Sequence, residues 1–120
     1  SLKNSTLDST SCWAPAKSDM NPWLNISLPD ITSISGVVIR ARGDVSTQYV
    51  TSFKVYYIDS SNKTNPVDNG IIYNSNLTGD IKQFSYILFK TPVNAKNIII
   101  FPQTWKDYIC LRADLLISGI

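Results

Sequence analysis

The sequence predicts a single all-β domain, and three observations support this. Residues that favour helices are scarce, with no Glu anywhere in the chain, whereas β-branched and aromatic residues are abundant. Apolar and polar residues alternate in several short runs, and Asn, Ser, Asp, Gly and Pro separate these runs. The 120 residues also match the length of one domain with its own core. We therefore expect one β-sandwich or barrel over residues 1–120.

The alternation defines the predicted strands. Leu24, Ile26 and Leu28 share one face of the first strand, which Pro29 is expected to end. Phe53 and Val55 occupy one face of the longest strand, which a polar turn at 59–63 follows. Seven strands are predicted in all, at residues 23–28, 34–41, 49–58, 71–74, 82–89, 95–101 and 109–118.

Composition excludes several classes of function. The chain has no His, so it has neither a Ser-His-Asp nor a Cys-His nucleophile, and it has no His-ligated zinc. Eleven basic and nine acidic residues leave a net charge of +2, and the basic residues are scattered. A nucleic-acid partner is not expected from this charge pattern. No apolar run has the length of a membrane span. We expect a protein that is not an enzyme.

Several segments together carry a family resemblance. They are WLNISL at 23–28, ISGVVI at 34–39, QYVTSFKVYY at 48–57, TPVNAKNIIIFP at 91–102, Trp105, and LRADLL at 111–116. In this order and spacing they resemble the discoidin domain, the coagulation factor V/VIII C-domain family with a galactose-binding-like fold. The resemblance implies a distorted jelly-roll β-sandwich that binds ligands through loops at one end. It also implies that the chain is short at its N-terminus and lacks the family's first strand and first binding loop.

The loop at 42–48 is the strongest predicted ligand site, because the equivalent loop of the family projects from the binding end. The expected contacts are Arg42, Gly43, Asp44, Val45 and Ser46. The Arg-Gly-Asp triplet has two interpretations. It presents a guanidinium and a carboxylate at opposite ends of a tight turn, as integrin ligands do, or its Gly serves only the backbone of the turn.

The loop at residues 4–22 is the second predicted site. Trp13, Lys17 and Asp19 are its expected ligand contacts, with the Trp ring available for sugar stacking or insertion into a lipid interface. The alternative is that Trp13 packs the loop onto the barrel. Trp23 and Trp105 lie at strand boundaries, and we expect both to plug an end of the sandwich as structural residues.

Covalent features and metals yield further predictions. The implied fold brings Cys12 and Cys110 into the same third of the barrel, which predicts a disulfide between them, whereas a cytosolic protein would keep both reduced. No cofactor is expected, although some sugar-binding relatives hold a structural calcium ion. Four sequons are candidate N-glycosylation sites, at Asn4, Asn25, Asn62 and Asn76.

The resemblance leaves three functions open. The first is an extracellular, lectin-like adhesion module that recognises a cell-surface glycan or protein through the loops. The second is a module that binds anionic phospholipid surfaces, which is less favoured because Val45 offers only one modest apolar side chain. The third is a protein–protein assembly domain of a larger protein. A secreted or cell-surface location is expected, with a cytosolic lectin as the alternative.

Overall fold

The chain folds as an all-β structure, as predicted. The computed structural model describes residues 22–41, 48–78, 80, 82–107 and 109–118. Its strands are β1 (Leu24–Arg40), β2 (Tyr49–Ile58), β3 (Thr64–Pro66), β4 (Tyr73–Asn74), β5 (Ser85–Lys106) and β6 (Arg112–Ile117), and a 3-10 turn, Val67–Gly70, joins β3 to β4. Among the described residues, no helix combines the length and hydropathy that a membrane span requires.

Two long, bent strands organise the sandwich. All strand pairs are antiparallel, in the order β3-β2-β5-β1-β6, with β4 beside β2. The first part of β1 and the last part of β5 form one layer with β2, β3 and β4, and the remaining parts of β1 and β5 form the other with β6. The two layers are therefore covalently continuous through both long strands.

The continuity of β1 corrects the prediction that Pro29 ends a strand. The pairing of β1 with β5 shifts register between Ser27 and Thr32, and Pro29 lies inside this unpaired interval. Its missing N–H therefore removes no hydrogen bond from the sheet. The segments predicted as strands 82–89 and 95–101 likewise belong to one strand, and Pro92 lies between the paired residues Leu88 and Val93.

The core confirms the predicted alternation. Phe53 and Val55 are fully buried, and Tyr57 on the same face packs against the core. The ring of Phe53 stacks on that of Tyr73, with 5.6 Å between centroids. Leu111, just before β6, is buried, as are Ala113 and Leu115 within it, whereas Ile117 at the end of β6 is exposed.

The strand directions give the sandwich two distinct ends. The first, which we call the loop end, is where β1 and β5 pair through Ile39 and Ser85 and where Tyr49 meets Lys106. The opposite end, the hairpin end, holds the turn between β2 and β3, the 3-10 turn and the bends of β1 and β5.

Candidate binding surface at the loop end

The predicted contact residues lie outside the described residues. This holds for Arg42, Gly43, Asp44, Val45 and Ser46 in the loop at 42–48 and for Trp13, Lys17 and Asp19 in the loop at 4–22. The described residues on either side of segment 42–47 are Ala41 and Gln48, and both lie at the loop end. The roles of the predicted contacts therefore remain predictions.

A buried arginine fixes the end of β1 where this segment begins. Arg112 is buried, and its Nε donates a hydrogen bond of 2.6 Å to the carbonyl oxygen of Ala41, which is itself fully buried. Arg112 also lies opposite Arg40 in the register of β1 and β6. A charge-assisted bond to a buried carbonyl holds the backbone in place, so the base of this segment is rigid.

An exposed aromatic residue and a cation lie beside this anchor. The Arg40 guanidinium is 4.1 Å from the centroid of the Phe84 ring, and its Nε donates to the carbonyl of Gln83 at 3.3 Å. Phe84 is 44% exposed and stacks on Tyr86, with 6.5 Å between ring centroids. The cation–π contact orients the exposed ring of Phe84. Arg40, Phe84 and Tyr86 are not among the contacts predicted from the sequence.

Trp23 and Trp105 do not plug the sandwich, which corrects the prediction. Trp23 is 53% exposed and Trp105 is 43% exposed. The pairing of β2 with β5 shifts register immediately next to Trp105, between Val50 and Ser52. Such a shift redirects side chains from the core to the surface. One feature of the sequence indicates that Trp105 is exposed: it lies within the polar run QTWKD at 103–107.

The loop end has the chemistry of a binding surface. Its exposed side chains combine the aromatic groups Phe84 and Trp105 with the cationic Lys106, while the buried Arg40 supports Phe84 from beneath the surface. Aromatic faces and cations recognise ligands by stacking and hydrogen bonding. Within the described part of the chain, no group of three or more His, Cys, Asp or Glu side chains is arranged to hold a metal ion.

One of the two cysteines of the predicted disulfide is among the described residues. Cys110 is buried and disulfide-bonded. The chain has one other cysteine, Cys12, which lies outside the described residues, so the identity of the pair remains a prediction.

Three of the sequon asparagines are described. Asn25 is half-buried and is the second residue of β1, and its Oδ1 accepts a hydrogen bond of 3.1 Å from Asn97 Nδ2. Asn62 and Asn76 are exposed, with left-handed φ angles of 61° and 59°. Asn4 lies outside the described residues. Asn62 and Asn76 are therefore the more accessible acceptors, and glycosylation of each site remains a prediction.

Comparison with known proteins identifies relatives of this chain. It is 30% identical over 114 residues to coagulation factor V of Pseudonaja textilis, covering 88% of the chain and 8% of the relative. It is also 30% identical over 111 residues to Discoidin-2 of Dictyostelium discoideum, covering 92% of the chain and 42% of that protein. The chain thus spans less than half the length of each of these relatives.

Solved structures share the fold. Recombinant discoidin II of Dictyostelium discoideum superposes with a TM-score of 0.84 at 27% identity, covering 99% of this chain and 50% of that one. The family 32 CBM from C. perfringens NanJ, solved in complex with galactose, superposes at 0.66 with 18% identity, covering 91% and 77% of the two chains. The model of the F5/8 type C domain matches residues 2–115. The chain therefore belongs to the F5/8 type C domain family, the discoidin family that its sequence resembles.

Proposed function

We propose that this chain is a non-catalytic, extracellular module that binds a cell-surface glycan through its loop end. One observation carries the proposal: the exposed rings of Phe84 and Trp105 and the Arg40 guanidinium lie at the end where Ala41 and Gln48 flank the predicted ligand loop. The galactose complex of the structurally similar family 32 CBM supports a carbohydrate as the ligand.

Sugars fit this combination of groups. The C–H face of a pyranose packs against an aromatic ring, and guanidinium and carboxylate groups form hydrogen bonds with its hydroxyls. The ring of Phe84, which Arg40 holds in place, supplies a fixed apolar surface. Arg42 and Asp44 would add the polar contacts that select one sugar over another.

The extracellular location is supported by the chemistry of Cys110. Its disulfide belongs to an oxidising compartment, since cytosolic thiols are kept reduced.

The test is glycan binding by variants of the loop end. A glycan array identifies a ligand, and titration calorimetry then compares the wild type with Trp105→Ala and with the double variant Arg42→Ala, Asp44→Ala. We expect at least tenfold weaker binding in each, about 1.4 kcal/mol. Leu88→Ala is the matched control, because Leu88 is 68% exposed but lies in the middle of its layer. Equal affinity in the wild type and both loop-end variants would place the ligand elsewhere.

A phospholipid surface is the second candidate. The exposed aromatic rings of Phe84 and Trp105 lie at the same end as the exposed cation Lys106, and such a combination also suits an anionic interface. Co-sedimentation with phosphatidylserine vesicles distinguishes the two functions. The membrane function is favoured if the protein binds these vesicles, the glycan found on the array does not inhibit this binding, and no glycan binds at the loop end.

A further inference from the structure

A cleft of about 710 Å³ opens at the hairpin end, on the side of the sandwich away from the loop end. The turn between β2 and β3, the 3-10 turn and the bend of β5 at residues 90–94 form its walls. Its volume lies within the range of small-molecule sites. The proposed function does not use this cleft.

Asp68 joins two walls of the cleft. One carboxylate oxygen, Oδ2, accepts hydrogen bonds from the Tyr73 hydroxyl at 2.6 Å and from the Lys90 N–H at 2.8 Å, and Oδ1 accepts the Thr91 N–H at 3.3 Å. Asp68 has a left-handed φ of 49°, and its side chain reaches from the 3-10 turn to β5. The bonds to Lys90 and Thr91 span 22 and 23 residues of sequence and join the 3-10 turn to β5.

Asp59 fixes the third wall, the turn between β2 and β3, by accepting hydrogen bonds as Asp68 does. Its Oδ1 accepts the backbone N–H groups of Ser61 and Lys63 at 2.8 and 3.0 Å, and its Oδ2 accepts Asn65 Nδ2 at 2.9 Å. The turn between β2 and β3 is thereby fixed around an ionised carboxylate. Because two rigid carboxylates line the cleft, it is pre-organised for a ligand that donates hydrogen bonds.

Both carboxylates keep unused hydrogen-bonding capacity. An ionised carboxylate has about four acceptor positions, and Asp59 and Asp68 each use three. The side chains of Asn69, Lys90 and Asn94 also line the cleft, and none forms a side-chain hydrogen bond or ion pair within the described part of the chain. The cleft thus offers a ligand both acceptors and donors.

The remaining lining residues limit the class of ligand. Ile31, Ile71 and Val93 give the cleft an aliphatic surface, which suits C–H groups. Two carboxylates against the single Lys90 ammonium disfavour an anion. A purely apolar ligand would desolvate these polar groups without pairing them. A neutral molecule with many hydroxyls and an aliphatic face satisfies all of these groups.

We propose that this cleft is a second binding site, specific for a neutral saccharide. Sugar hydroxyls donate to the free acceptor positions of Asp59 and Asp68, and sugar oxygens accept from Lys90 and Asn94. The aliphatic wall packs against the C–H face of the ring. With a site at each end, one chain can bridge two glycans. This site is independent of the proposed loop-end function.

The test is an NMR titration of the ¹⁵N-labelled wild type with lactose, cellobiose, methyl α-mannoside and N-acetylglucosamine. A bound sugar is expected to shift the amide signals of Ser61, Lys63, Lys90 and Thr91, because these N–H groups bond to the two carboxylates that the sugar contacts. Inorganic phosphate serves as the anionic comparison and is expected to shift none of them.

Variants then identify the contacts. Lys90→Ala and Asn94→Ala should each weaken sugar binding in the cleft at least tenfold, whereas Lys96→Ala, an exposed lysine on the same strand outside the cleft, should leave it unchanged. Trp105→Ala should also leave it unchanged, which separates this site from the loop end. The proposal is overturned if no sugar shifts the cleft amides of the folded wild type, if phosphate alone shifts them, or if Lys90→Ala and Asn94→Ala bind as the wild type does.

Discussion

Gly36 lies where the backbone of β5 leaves no room for a Cβ on β1, and replacing it by Ala should strongly destabilise the fold. It is buried in β1, opposite Leu88 of β5 and Leu116 of β6. A Cβ added at this position would lie 2.2 Å from the carbonyl oxygen of Ile87 and 3.1 Å from the Leu88 Cα. Both neighbours are backbone atoms, so a side-chain rotation cannot relieve the clash.

The expected cost follows from the displacement required. The carbonyl oxygen of Ile87 must move by about 1 Å to reach an ordinary contact of 3.4 Å or more. Overpacking of a rigid core costs about 1 to 3 kcal/mol, and each sheet hydrogen bond weakened by the displacement costs about 1 kcal/mol more. We therefore expect Gly36→Ala to lower the free energy of unfolding by about 3 kcal/mol, and the Tm by about 12 °C for a domain of this size.

Gly70→Ala is the matched control. Gly70 has a left-handed φ of 78°, but a Cβ there would meet its nearest neighbour, the Pro66 Cβ, at 3.7 Å. Gly70→Ala therefore tests backbone strain without a steric clash. We expect it to lower the free energy of unfolding by about 1 to 2 kcal/mol. Urea unfolding and differential scanning calorimetry of both variants give the comparison. The reasoning is refuted if Gly36→Ala is no more destabilising than Gly70→Ala.

Three other predictions concern ionisation, the disulfide and the ligand loop. Burial, the largest influence, raises the pKa of Asp68, but hydrogen bonds from the Tyr73 hydroxyl and two backbone N–H groups, helped by the charge of Lys90, bring it below the usual 3.8. The carboxylate therefore stabilises the fold above about pH 4 and loses this effect as the pH falls through the lowered pKa. The stability difference between wild type and Asp68→Asn should shrink in urea titrations as the pH falls from about 4 through the lowered pKa, and a constant difference would contradict this. If Cys12 and Cys110 are paired, intact-mass analysis after alkylation without reductant will show no label, and two labels would mean two free thiols. If the Arg-Gly-Asp triplet is an integrin ligand, Asp44→Glu should abolish cell attachment and leave glycan binding intact, whereas loss of both activities would give Asp44 a role in the loop's own structure.

Much of the fold could be predicted because alternation is a local property of the chain. Phe53 and Val55 lie two residues apart on a strand, so they share a face whatever the strand pairs with. The all-β class and the position of β2 follow from such patterns. The discoidin family also follows from the sequence, since segments distributed along the chain carry the resemblance.

Exposure and the second cleft could not be predicted in this way, because both depend on contacts between distant segments. Trp105 is exposed through a register shift between β2 and β5, and Pro29 is tolerated within β1 because its partner strand shifts past it. The cleft at the hairpin end exists because Asp68 reaches Lys90 and Thr91 on β5. By itself the sequence determined which residues alternate, and therefore the class and the core face of the main strands. The tertiary structure decided which strands join, which aromatic rings remain exposed and where a cleft forms, because register and long-range hydrogen bonds exist only once the layers have paired.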